Sequence, residues 1–228
     1  MKKALAVILA LVLAVLTGCG AAGTAPPSPE PTPVPTVPVQ EFEESNPITV
    51  TVTPMELTEE EQETVKLTSR IGDEVHVYNL EADGEIKGAV ATVFSLVDGA
   101  WEHHTVSVGF DPAEGRFSVV SSGLADGTTV NFTTPSGVLS SAGSPSFEPP
   151  DSGFYLSGAL GRSVTAQTGQ NIPVAVQVFG TYDPETDSGE VVSADPEGFY
   201  NPEIFEGMDG VYVLCLCFLS EENPPLAQ

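Results

Sequence analysis

Basic side chains are nearly missing from this sequence: seven Lys and Arg stand against 32 Asp and Glu, for a formal net charge of −25 at pH 7. A field of that sign repels phosphate backbones and anionic headgroups, which argues against nucleic acid as a partner. Cysteine is scarce, with three in 228 residues, so a disulfide framework is not indicated. Histidine is equally rare. His103 and His104 are adjacent, and on a regular strand they point to opposite faces and cannot share a metal. There is no Gly-x-Ser-x-Gly elbow, no triad order among the histidines and no Gly-rich phosphate loop. Paired carboxylates of the glycosidase kind stay open, because so many acids supply pairs by chance. A hydrolase with an unrecognised carboxylate site is therefore one of three functional readings kept.

The longest apolar run, Ala4 to Leu16, has about 13 residues where a spanning helix needs about 20. Lys2 and Lys3 precede it and Leu16-Thr17-Gly18-Cys19 closes it. Basic n-region, short apolar core and small residues before a cysteine form the layout of a cleaved secretory signal. This stretch resembles the signal peptide and lipobox of bacterial lipoproteins. The resemblance implies diacylglyceryl attachment at Cys19, cleavage between Gly18 and Cys19, and a membrane partnership made only through the N-terminal lipid. It covers residues 1–19 alone.

From Thr24 to Gln40 the chain carries Pro26, Pro27, Pro29, Pro31, Pro33, Pro35 and Pro38 among Ser, Thr and Val. Such a segment builds no core and favours polyproline II. At about 3.1 Å per residue it reaches roughly 50 Å. The expected organisation is a signal peptide at 1–18, a lipidated N-terminus and Pro-rich linker at 19–46, a folded domain at 47–220 and a tail at 221–228.

Within the domain, Ile48, Val50 and Val52 alternate with threonines, the period of a half-buried strand. Thr58 and Glu61 form a capping box for one helical turn. Val65, Leu67 and Ile71 then alternate with Lys66, Thr68 and Arg70, which predicts a second strand. Further strands are predicted at Glu74–Leu80, Ala89–Val97, Trp101–Phe110, Arg116–Ser121, Thr128–Thr133 and Ile172–Val178. Asp83-Gly84, Asp98-Gly99 and Asp126-Gly127 between them supply hairpin turns. Trp101 is out of phase with Val106, Val108 and Phe110. Either a bulge near His103-His104 restores the phase, or Trp101 faces a different layer. Residues 134–169, 182–190 and 195–210 read mainly as loops. Val211 to Leu219 is apolar at every position, as a central strand covered on both faces would be. Its Cys215 and Cys217 are two apart on one face, too far for a disulfide, and read as buried thiols.

The expected fold is all-β: an antiparallel β-sandwich, immunoglobulin-like or jelly-roll-like, after a disordered Pro-rich linker. The rhythm of strand, Pro54, Leu57 and strand resembles bacterial immunoglobulin-like surface domains, without matching all their core landmarks.

Two sets of candidate contacts stand out. Tyr155, Tyr182, Phe199, Tyr200 and Phe205 lie in loops, where aromatic rings stack on sugars or bury against a partner. Asp183, Asp187 and Glu190 fall in an acid-rich turn that offers oxygens to calcium, the only cofactor considered, although the spacing is not that of an EF-hand. No catalytic residue is assigned. The favoured expectation is a lipid-anchored, extracytoplasmic module for non-enzymatic recognition of an envelope protein or glycan. A carbohydrate-binding accessory module is the alternative closest to it.

Overall fold

A computed structural model describes residues 42–69, 73–110, 115–121, 123–124, 128–134, 137–143, 155–183, 188–190 and 193–221. Cys19 and the proline run lie outside these residues. The described chain forms an all-β antiparallel sandwich. Its strands are β1 (Thr49–Pro54), β2 (Glu74–Ala82), β3 (Gly88–Val97), β4 (Ala100–Phe110), β5 (Gly115–Ser121), β6 (Thr128–Thr134), β7 (Gly137–Gly143), β8 (Tyr155–Ala159), β9 (Val164–Gln167), β10 (Asn171–Phe179), β11 (Thr181–Asp183), β12 (Ser188–Glu190) and β13 (Gly210–Leu219). One sheet runs β7-β6-β5-β2-β1-β9 and the other β4-β3-β13-β10-β8, while β11 and β12 make a separate two-stranded ribbon.

The two Asp-Gly signals within the described residues differ in kind, and Asp126-Gly127 lies outside those residues. Asp98 (φ 51°) and Gly99 (φ 78°) close a hairpin between β3 and β4, since both central residues of such a turn need positive φ. Asp83-Gly84 instead lies where the chain crosses from one sheet to the other. A simple meander is therefore confined to β5, β6 and β7, which pair in sequence order.

Where Val65, Leu67 and Ile71 suggest a second strand, the chain is helical: α1 spans Glu59–Thr68. The capping box is formed, with the Glu61 amide donating to Thr58 Oγ1 and the Thr58 amide donating to Glu61 Oε2. Glu59, Glu60 and Glu61 in the first turn and Lys66 in the last suit the helix dipole. A cap and matching end charges outweigh a three-step alternation. Leu67 is left 80% exposed, and Ile71 lies outside the described residues. Two hydrogen bonds from Thr58, then the guanidinium of Arg116, hold the Glu61 carboxyl below its usual range.

The core lies between the sheets. Val50, Val52, Tyr78 and Leu80 of one sheet meet Ala91, Val93, Leu214, Leu216 and Phe218 of the other. Tyr78 also bridges the layers. Its hydroxyl donates to the Val174 carbonyl at 2.8 Å, at a bulge where β10 slips against β13 between Pro173 and Ala175. The Leu160 amide donates to the same oxygen. A proline inside a sheet needs such an irregularity because it lacks an N–H. Burial pushes the Tyr78 pKa up, so the hydroxyl stays a donor.

β13 is the middle strand of its sheet and is buried from Val211 to Leu219. Its even-numbered side chains enter the core between the sheets. Val211, Val213 and Cys215 face the opposite way, under Phe199 and Phe205. Cys217 and Leu219 continue that outer face and are packed by Phe42. Both cysteines are free and buried, and burial raises the Cys215 thiol well above its usual value. Trp101 belongs to the outer layer, with Phe94 and Phe199. The bulges of β4 come later than His103-His104. The register slips between Thr105 and Ser107 and between Val108 and Phe110.

Phe42, the first described residue, already packs on the domain, five positions before the composition changes at Pro47. The Phe42 amide donates to the Gly169 carbonyl at 3.0 Å. Glu44 accepts from the Ser220 amide at 2.7 Å, from the Ser220 hydroxyl at 2.8 Å and from the Thr168 hydroxyl. Glu221 accepts from the amides of Ser45 and Asn46. Gly169 (φ +89°) has no alternative here, because a Cβ would lie 2.5 Å from the Phe42 oxygen.

Two outcomes are expected. Leu214→Ala and Leu216→Ala should each cost about 2–5 kcal/mol in denaturant unfolding, and neither cysteine should react with a thiol reagent until the protein unfolds. A chain trimmed to begin at Pro47 should melt several degrees below one beginning at Gln40, at about 2–4 °C per kcal/mol lost.

Candidate functional site

Of the aromatic candidates with described side chains, Phe199, Tyr200 and Phe205 share one segment, the first two with rings 5.6 Å apart, and Tyr155 lies away from them. Phe199 and Phe205 are each 2% exposed and belong to the outer core layer, so they are not presented to solvent. A long loop over an apolar sheet face lowers its free energy by turning its rings inward. The Trp101 indole donates to the Phe199 carbonyl at 3.0 Å, and the two rings lie 5.2 Å apart. Tyr200 is 52% exposed, but its hydroxyl is committed to the Asn171 carbonyl at one end of β10. Tyr155, also 52% exposed, pairs with Phe179 at the other end. At about 3.3 Å per residue the two tyrosines stand roughly 26 Å apart.

The acid-rich turn carries β11 and β12 rather than a plain loop. Thr181 pairs with Glu190, Tyr182 with Gly189 and Asp183 with Ser188. Asp183 and Glu190 thus sit two pairing steps apart on opposite strands of the ribbon. Asp187 lies outside the described residues, and the side chains of Tyr182, Asp183 and Glu190 are not described. Among the described residues no three His, Cys, Asp or Glu gather as a metal site would require.

Among the described residues the outer layer carries a groove of about 490 Å³ between the β3–β4 turn and residues 202–208, within the usual size of a ligand site. Its apolar lining is the partly exposed Leu96 and Met208 with the buried Phe205 and Val211. Asp98, Glu203 and Glu206 line its rim. Local chemistry explains why the chain lies this way. Asp195 caps a 3₁₀ turn, Pro196–Tyr200, by accepting from the Glu197 amide at 3.0 Å. A second turn, Pro202–Phe205, follows at once. Gly198 allows the two to nest, because a Cβ there would lie 2.4 Å from the Phe205 ring and 2.5 Å from Ile204. The Asp209 amide donates to the Phe179 carbonyl and fastens the far end of the segment to β10.

The near end is held by close contact with β8. A Cβ on Gly158 would lie 1.7 Å from the Ala194 oxygen, so the backbone of the segment rests directly on the strand. Arg162 adds a two-pronged pair with Glu197, through Nε to Oε1 at 2.8 Å and through the second nitrogen to Oε2. The pair lowers the Glu197 pKa and raises that of Arg162. The guanidinium is exposed, so the pair locates the turn more than it stabilises the fold.

The rim residues escape sequence reading for two reasons. Asp98 reads as a turn former, which it also is. Glu203 and Glu206 read as loop solvation, because only the fold brings them beside Leu96 and Val211. The one available signal is Phe205 and Met208 interleaved with those glutamates. The groove offers apolar contact below and negative charge above, which is suited to holding a cation with an apolar body. Comparison with family models, curated proteins and solved structures finds no match for this chain.

Gly158→Ala should lift residues 193–195 from β8. The expected cost is about 1–3 kcal/mol, as for other overpacked sites, with a shift in the emission of Trp101, the single tryptophan, which contacts Phe199 and Phe205. Unchanged unfolding and emission would show that the segment is held elsewhere.

Proposed function

We propose that the chain is a lipid-anchored extracytoplasmic protein whose folded part serves non-enzymatic recognition or envelope interaction. The observation that carries this reading is the polarity of the domain along β13. The N-terminal segment joins at the Leu219 end, where Phe42 packs and Glu44 binds Ser220. The groove takes Val211 at the other end. Eight residues at about 3.3 Å put the two roughly 26 Å apart. A lipid on Cys19, a stalk of prolines and a groove remote from the point of tethering make a consistent arrangement for presenting a surface outward.

A specific observation also favours the glycan alternative. Tyr155, Phe179 and Tyr212 form a row of rings across β8, β10 and β13, with centroids 5.5 and 5.6 Å apart. Tyr155 at its edge is half exposed, and a stacked sugar would cover it.

Cys19→Ala should abolish membrane retention and acyl labelling while the domain folds normally. Unchanged fractionation would sink the anchor. A photo-crosslinker at position 206 should capture one defined envelope component in whole cells, and one at position 63 on α1 should not. Equal labelling from both positions would contradict an outward contact surface.

A further inference from the structure

We infer that the groove binds a basic side chain carried on an apolar peptide segment. The aliphatic stem lies along the partly exposed Leu96 and Met208, over the buried Phe205 and Val211, and the cationic head reaches the carboxylates of Asp98, Glu203 and Glu206. This deepens the recognition reading and rests on it.

Charge complementarity selects the ligand. Three exposed carboxylates from two separate segments edge one concavity, and among the described residues no Lys or Arg lines it. The ion pairs among the described residues lie elsewhere: Glu74 with His76, Glu85 with Lys87, Glu61 with Arg116 and Glu197 with Arg162. A chain with seven basic residues against 32 acidic ones has few internal cations to offer. Low-dielectric walls focus the field of the rim into the groove.

The apolar floor excludes the simpler occupants. A bare metal ion would leave the partly exposed Leu96 and Met208 uncovered. A neutral sugar would donate hydroxyl hydrogen bonds to the carboxylates but would leave their charge unbalanced. A wholly apolar ligand would strip water from them, which is costly without a partner. Lys and Arg carry an aliphatic stem and a charged head, and so match both surfaces.

The test titrates the full chain with a short peptide alternating Leu and Arg, and with its Leu and Glu counterpart. Calorimetry and the emission of Trp101 are the readouts. The Arg peptide should bind, more weakly as salt rises, and the Glu peptide should not. Replacing Asp98→Asn, Glu203→Gln and Glu206→Gln together should weaken binding at least tenfold. These side chains are exposed, and circular dichroism should show the fold unchanged. Replacing Glu59→Gln, Glu60→Gln and Glu63→Gln on α1 removes as much charge and should weaken binding less than twofold. Equal weakening by both sets would mean diffuse attraction and overturn the inference, as would no binding of the Arg peptide. A glycan array on the same preparation separates the two levels. A neutral glycan that binds when the peptide does not would overturn the ligand class and leave the recognition reading standing. Failure of both would overturn both.

Discussion

A strand that is apolar on both faces must be covered twice, and β13 is such a strand. Its even-numbered side chains find the opposing sheet. Among the described residues its odd-numbered ones meet no third sheet. They are covered by two pieces of irregular chain: residues 196–208 over Val211, Val213 and Cys215, and Phe42 over Cys217 and Leu219. Much of the rest of the architecture follows. The 3₁₀ turns exist because rings must be laid flat on a sheet face, and Gly158, Gly169 and Gly198 sit where backbone or rings come too close for a Cβ.

The same requirement produces the groove. Irregular chain covers a sheet less evenly than a second sheet does. Where residues 202–208 rise toward the β3–β4 turn, the apolar layer is left open at its edge and acidic side chains stand around it. On the proposed reading, the incompletely covered end of the outer layer is the working end. The completely covered end, sealed by Phe42 and Glu44, is where the tether joins.

The acidity of the chain shapes what can be buried. Among the described residues the carboxylates stay at the surface, and the core uses hydroxyls, thiols and the amides of Asn171 and Gln177 for polarity. Tyr78 is the clearest case. One phenol fills core volume, stacks on Phe117 with centroids 5.1 Å apart, and satisfies the carbonyl exposed by the β10 bulge. A neutral donor does this without the desolvation cost of a charge.

Much of the fold was legible because strand periodicity is local. Val50 and Val52, the apolar run of β13 and the Asp98-Gly99 turn each declare themselves within a few residues. The all-β class and the depth of Cys215 and Cys217 follow from them. The helix at Glu59–Thr68 was partly legible: the cap at Thr58 announced its start, while Val65 and Leu67 imitated a strand. What no local pattern carries is which segments meet. Whether Phe199 and Phe205 face solvent or the sheet depends on β13 being apolar on a side that the opposing sheet does not reach. Whether Asp98 and Glu203 share a rim depends on two loops more than a hundred residues apart in the chain meeting at one end of one sheet. Side-chain chemistry and spacing determined the strands, the cap and the charge. Only tertiary packing decided the faces, because a residue is buried by its neighbours in space, and those neighbours are set by strand pairing across the whole domain.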